Sequence, residues 1–174
     1  MVDGRSDGDV AALRRVAYGY AAAVDALDGP AFADLFAGDG ELWVPDPSVG
    51  YEPTIMRSGR AKLERIPSGL ASYHVTHHAL WSTDFDVNGD RATGTVIGVA
   101  HHVTPDAEDG DVGGLDAVWY IRYADEYVRA GDVWLLSRRF LHLRDIEYRR
   151  ITHVGPGRRR PMGPSDAGAR TLRP

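Results

Sequence analysis

Between residues 73 and 151 the chain is written almost entirely in long stretches rich in β-branched and aromatic residues. Residues 73–87 and 91–104 flank Asn88-Gly89, and Asn-Gly between two such runs is the strongest short-range hairpin signal. Residues 115–129 and 133–151 flank Gly131-Asp132 in the same way, and an acidic, glycine-rich stretch at 105–114 joins the two halves. Two-residue turns can join only antiparallel neighbours, because a parallel pair needs a crossover of a dozen or more residues. A sheet built largely of consecutive hairpins is therefore the constraint that the rest of the chain must satisfy.

What precedes the sheet is helical. Leu13, Val16, Ala17, Tyr20 and Val24 recur at steps of three and four, which predicts an amphipathic helix over 10–27. Asp28, Gly29 and Pro30 supply a break, a cap and a first-turn proline, so 31–37 reads as a second, short helix carrying Phe32, Leu35 and Phe36. Residues 41–44 suggest a short strand, a loop with Pro45, Pro47 and Pro53 follows, and 59–70 offers a third helix around Leu63 and Ile66. Helices first and strands afterwards predict an α+β domain with the helices on one face of the sheet. With 174 residues the chain suits one domain, placed at 10–153 between a flexible N-terminus at 1–9 and a disordered Gly/Pro/Arg tail at 154–174.

Composition narrows the function classes. No cysteine is present, which excludes thiolate metal sites and a cysteine nucleophile and removes any need for an oxidising compartment. The first residues are charged where a signal peptide would be apolar, and no stretch approaches the ~20 apolar residues of a membrane span. A cytoplasmic protein without membrane contact is expected. Net charge is −5 and the one dense basic cluster, Arg158 to Arg160, lies in the tail, so nucleic acid is not an expected partner.

The order of elements, together with YAAAVDALD in the first helix, SYHVTHHALW in a central strand and GDVWLLSRRF in the last, resembles the SnoaL-like family of the NTF2-like superfamily. That family includes polyketide cyclases, scytalone dehydratase and bile-acid 7α-dehydratase. The resemblance covers roughly residues 11–148 and implies a cone in which a curved antiparallel sheet is closed by three N-terminal helices around an apolar pocket. Matched position by position, it implies Tyr20 and Asp25 at the pocket wall, His74 as the central acid–base group held by Asp25, and Trp81 seven residues beyond that histidine. A second polar position falls at or beside His101, with His102 adjacent, and the arginine five residues after Trp134 corresponds to Arg139. One departure is that the tyrosines polarising the substrate carbonyl in scytalone dehydratase align with Val24 and Val44. The family also implies a homodimer or homotrimer, for which Trp119, Ile121, Leu141 and Leu143 could supply an apolar patch.

The residues support such a site on chemical grounds. Histidine titrates near neutrality and can accept and return a proton, and an adjacent aspartate fixes its tautomer and stabilises the imidazolium. Dehydration, isomerisation and aldol-type closure beside a carbonyl all require proton removal from carbon and stabilisation of an enolate oxygen, tasks open to Asp25, His74, Tyr20, His101 and Arg139. The pocket wall is expected to include Tyr18, Trp43, Trp119, Tyr123 and His78 around a small hydrophobic ligand, with no metal or organic cofactor. Strand alternation puts His74 and His78 on one face with His77 opposite, and separates His101 from His102. The same alternation opposes a zinc or iron site made from these five imidazoles, and no G-x-S-x-G elbow points to a serine hydrolase. Tyr18 is the rival of Tyr20, since Tyr20 and Asp25 stand about 140° apart on a helix. The remaining alternative is a non-catalytic protein, either a small-ligand binding module or an assembly partner using the open face of the sheet.

Overall fold

The computed structural model describes residues 7–105 and 113–152. The acidic stretch 106–111, the arginine cluster and the tail at 154–174 lie outside them.

Helix α1 (Asp7–Ala26) begins with Asp7 and Asp9 in its first turn, where carboxylates favour the positive end of the helix dipole. Its buried face is Leu13, Val16, Ala17, Tyr20, Ala21, Ala23 and Val24, the stripe read from the sequence. The helix stops at Leu27, which adopts φ 57°. Leu27 N–H then donates to the Val24 carbonyl (3.1 Å) and Asp28 N–H to that of Ala23 (2.9 Å), satisfying carbonyls that the helix end would leave unpaired. Asp28 caps the next element, α2 (Gly29–Ala33), by accepting Ala31 N–H at 3.0 Å.

The second helix is shorter than its apolar spacing suggests. Strand β1 (Phe36–Pro45) takes over, because a long final strand is available to pair with it and Leu136 N–H donates to the Leu35 carbonyl at 2.8 Å. Strand β2 (Pro53–Ser58), read as loop from its prolines, forms an edge; proline is tolerated at the first residue of an edge strand. The expected third helix is split into a single turn, α3 (Arg60–Leu63), and a 3₁₀ turn (Pro67–Leu70), since Pro67 cannot donate to a continuing helix. One long helix and three single-turn pieces thus replace the expectation of three N-terminal helices, and two of those pieces follow β1 and β2.

The hairpins form as read: β3 (Val75–Asn88), β4 (Arg91–Pro105), β5 (Gly114–Ala130) and β6 (Val133–Ile151). In the first turn Asn88 pairs with Arg91, so the loop residues are Gly89 and Asp90, one place later than Asn-Gly implies. Gly89 (φ 60°) and Gly131 (φ 62°) each open a Gly-Asp loop, the position at which a tight hairpin needs positive φ. The six strands run in the order β2-β1-β6-β5-β4-β3. All neighbours are antiparallel except β1 and β6, which are parallel, so the sheet is mixed rather than purely antiparallel. Register shifts at Leu80/Ser82, Tyr120/Ile121 and Glu126/Tyr127 mark irregularities of the kind that bend strands. The sheet curves around α1, whose apolar face shares one buried core with Phe85, Val96, Ile121, Tyr123 and Leu136. Trp119, Ile121, Leu141 and Leu143 belong to this inner side, so the patch expected to join copies of the chain is buried within the chain. Among the described residues no helix is long and apolar enough to cross a membrane.

Gly98 sits where β4 passes the β3 bulge, and a Cβ there would lie 2.3 Å from the Ala79 carbonyl oxygen. Gly98→Ala should therefore lower stability by about 1–3 kcal/mol, as overpacking against backbone does. Urea denaturation of the variant beside the parent chain checks this.

Candidate active site

Alternation along the sheet sorts the polar residues into two sets. Register pairs Thr76 with His102 and His78 with Ala100, and Ala100 with Trp119, placing these on the inner face. His77 pairs with His101 on the outer face. The inner side chains enclose a cavity of about 250 Å³ between the sheet and the short helical pieces. Tyr20, Val24, Val44, Leu70, Tyr73, His78, His102, Trp119, Ile121, Tyr123 and Leu141 contribute to its wall. A larger groove of about 330 Å³ opens on the sheet elsewhere, but it is lined by Asp84, Asp86, Asp125 and Glu126 with no imidazole, so acid–base chemistry is concentrated in the smaller cavity.

Asp25, in the last turn of α1, reaches β3. Its Oδ1 lies 2.7 Å from His78 Nδ1 and accepts the Thr76 hydroxyl at 3.0 Å, while Oδ2 accepts the His78 backbone N–H at 2.8 Å. The histidine that Asp25 holds is therefore His78, not His74. The two share a face, but β3 begins only at Val75, and the helix end meets the strand two pleats further along; His74 is held at the strand entry, where its N–H donates to the Val103 carbonyl at 2.8 Å. Burial alone would raise the Asp25 carboxyl, yet the bonds from His78 and Thr76 outweigh it and hold the group below the usual aspartate range. A carboxylate at Nδ1 requires that nitrogen to carry the proton, leaving Nε2 as the lone pair of the neutral ring.

His102, not His101, belongs to the cavity. Its ring packs 4.8 Å from Trp119, 4.9 Å from Tyr73 and 6.0 Å from His78, and Nδ1 lies 3.2 Å from the Ala117 carbonyl, which can only accept. Burial pushes its pKa down from 6.5 to about 4, so it is neutral at ordinary pH and presents Nε2 as an acceptor. His101 pairs instead with Asp116 on the outer face at 2.7 Å.

Arg139 is fully buried but stands behind the cavity wall. Its Nε and Nη2 bind Asp125 Oδ1 and Oδ2 at 2.8 and 2.6 Å, and Tyr127 donates to Oδ2 at 2.6 Å. Its guanidinium carbon lies 4.2 Å from the ring centroids of both Tyr20 and Tyr123. The expected catalytic cation is thus committed to a carboxylate two strand positions from Tyr123. Burial would lower the Arg139 pKa, but Asp125 overrides it and keeps the group charged.

Of the expected wall residues, Trp119, Tyr123 and His78 line the cavity and Tyr20 lines it from α1. Tyr18 does not: it is 51% exposed on the solvent side of the helix, which settles the rivalry with Tyr20 by helical phase. Trp43 points to the outer face, where it stacks on Phe140 at 5.8 Å and donates to Glu41 at 2.9 Å, because β1 turns Leu42 inward beside Arg139. Sequence reading missed Thr76, Tyr73 and Asp125. Thr76 was accessible to the period-two rule, since it lies between His74 and His78 on the same face.

The profile described as a SnoaL-like domain matches residues 8–140. Among solved structures, the chain is similar to Kfla4162 of Kribbella flavida, with TM-score 0.70 and 20% identity over 82% of this chain and 95% of that one. It is similar to the hexachlorocyclohexane dehydrochlorinase LinA-type3 of Novosphingobium barchaimii, with TM-score 0.68 and 16% identity over 86% and 95%. It is also similar to a protein of Novosphingobium aromaticivorans provisionally named a scytalone dehydratase, with TM-score 0.64 and 21% identity over 85% and 94%. At such identities the likeness is one of fold. No curated protein matches the chain in sequence.

Two outcomes are expected of the buried charges. Asp125→Ala leaves Arg139 without its counter-ion and should cost about 3–5 kcal/mol in chemical denaturation. The unfolded chain binds a proton on His102 near pH 6.5 and the folded chain only near pH 4. The neutral ring's contribution is therefore complete above pH 6.5 and lost as pH falls to about 4, a change of about 3 kcal/mol. Denaturation curves across that window should be flatter by this amount in His102→Asn than in the parent chain.

Proposed function

This chain belongs to the SnoaL-like domain family of the NTF2-like superfamily, and from that premise we propose that it is a cofactor-independent lyase or isomerase that removes a proton from carbon beside a carbonyl. The observation that carries the reading is the Asp25–His78 pair at the wall of an apolar cavity. A carboxylate on Nδ1 orients the ring, favours the imidazolium once a proton has been taken, and leaves Nε2 to take it. His102, held neutral, can accept a hydrogen bond from a ligand hydroxyl without competing for the proton.

The names of two neighbours, a dehydratase and a dehydrochlorinase, denote eliminations of water and of hydrogen chloride. Elimination needs a base at one carbon and a proton for the oxygen departing from the next: His78 Nε2 can take the proton from carbon and, as the imidazolium beside Asp25, return it to the leaving oxygen to release water, while His102 holds the hydroxyl by accepting its hydrogen bond. The substrate class is a small hydroxylated or carbonyl compound with apolar rings. A cavity of about 250 Å³ lies below the ~300–1,000 Å³ range of drug-sized ligands, which favours a one- or two-ring polyketide-like fragment over a four-ring steroid.

The test is exchange of α-protons of cyclic ketones in D₂O, followed by NMR, and formation of conjugated enone from the matching β-hydroxyketones. Wild-type protein should accelerate exchange, and His78→Gln should reduce the rate by about 10²–10⁴-fold, with Asp25→Asn falling between. Exchange that survives His78→Gln removes the proposed base. Ketones that bind without exchange would instead identify a binding protein.

A further inference from the structure

The two strands that carry the inner imidazoles carry a second pair on their other side. His77 and His101 stand directly opposite each other in the β3–β4 register and face away from the cavity, with ring centroids 6.4 Å apart and planes at 35°. His77 is exposed and the His101 side chain is 29% exposed, so neither is committed to the core. Behind His101 lies Asp116, only 7% exposed, whose Oδ2 is 2.7 Å from Nδ1. A carboxylate at that nitrogen puts the ring proton on Nδ1 and leaves the Nε2 lone pair as the binding atom.

The carboxylate itself is under-compensated. Its Oδ1 is buried with no hydrogen-bond partner. Arg149, opposite Asp116 across β5 and β6, spends Nη2 on Glu147 at 2.6 Å and on the Tyr120 hydroxyl at 3.2 Å. A buried anion whose hydrogen bond comes from one imidazole gains from positive charge placed on the far nitrogen of that ring. Carboxylate–imidazole pairs of this kind orient metal ligands and raise their basicity, and imidazole suits zinc and copper. We propose that His77 and His101 together bind one divalent transition-metal ion, zinc or copper, on the outer face of the sheet, with Asp116 as the positioning residue behind His101.

An imidazole nitrogen holds zinc at about 2.0–2.1 Å, which puts two rings on one ion with centroids roughly 4.5–5.2 Å apart. The gap of about 1–2 Å from the observed spacing closes when the exposed His77 side chain turns about its own torsions, with no movement of backbone. Among the described residues no three histidines or carboxylates converge to hold a metal, so the remaining positions on the ion belong to water. His78 and His102 follow these ligands in sequence and point into the cavity. The ion therefore clamps the strand pair that positions both inner imidazoles, whatever the cavity does.

Calorimetric titration of the full, untagged chain, stripped with EDTA, against zinc, copper(II) and magnesium chlorides tests it. One zinc or copper ion per chain is expected, while magnesium, which takes oxygen ligands, should not bind. His77→Ala and His101→Ala should each weaken binding by about tenfold or more, and Asp116→Asn by about 10–100-fold at unchanged stoichiometry. His78→Gln, on the inner face, should leave it intact. Saturating zinc should also raise the Tm of the parent chain and not that of His77→Ala, because an ion that binds only the folded strand pair stabilises it. Copper binding without zinc supports the site and assigns it to copper. Affinity indifferent to His77→Ala or to Asp116→Asn, binding lost in His78→Gln, magnesium competing on equal terms, or no binding of either transition ion would each overturn the proposal.

Discussion

A guanidinium shut away from water lies at the centre of this fold. Burying an arginine is costly unless every compensating interaction is in place, and Arg139 gathers most of them: two bonds to Asp125, the rings of Tyr20 and Tyr123 against the guanidinium, and a hydroxyl from Tyr127 completing the carboxylate. Asp125 and Arg139 are directly paired across β5 and β6, and Tyr20 brings α1 onto the same point. The helix can dock in only one rotation if its tyrosine is to cover this cation. The position of every other side chain on α1, Asp25 included, follows from that choice.

Asp25 then acts at the other end of the helix. It accepts three hydrogen bonds from β3, one of them from backbone, and so fixes the strand as well as the imidazole. The same contact that anchors the helix end to the sheet sets the tautomer of His78, which is why structure and proposed chemistry are hard to separate at this residue. His102 differs from His78 in having a carbonyl rather than a carboxylate behind it. Burial outweighs the bond to that carbonyl and keeps the His102 ring neutral.

Much of this was legible in the chain. The hairpin turns, the four long strands and the buried stripe of α1 follow from local chemistry: glycine at positive φ, alternation of period two, and helical steps of three and four. The family resemblance placed Tyr20 and Asp25 at the pocket wall; Tyr20 lines the cavity, whereas Asp25 is bonded to β3 behind His78. Trp43, expected at the wall as an aromatic, and His101, given by the resemblance with His102 beside it, each sit one residue from the inward position and so point through the sheet to the other side.

Sequence by itself determined α1, the four long strands and the parity of each, because these depend on covalent geometry within a few residues. It could say that His74 and His78 share a face. Which of them meets Asp25 was decided by the tertiary structure, since those residues stand about 13 Å apart along a strand and parity is blind to a shift of two pleats. Likewise the sequence supplied an arginine on the last strand, but only the pairing of β5 with β6 set Asp125 against it and turned a candidate catalytic cation into the support beneath two tyrosines. Long-range register, fixed by bulges and by the docking of α1, is a property of the packed chain and leaves no periodic mark in the residues that obey it.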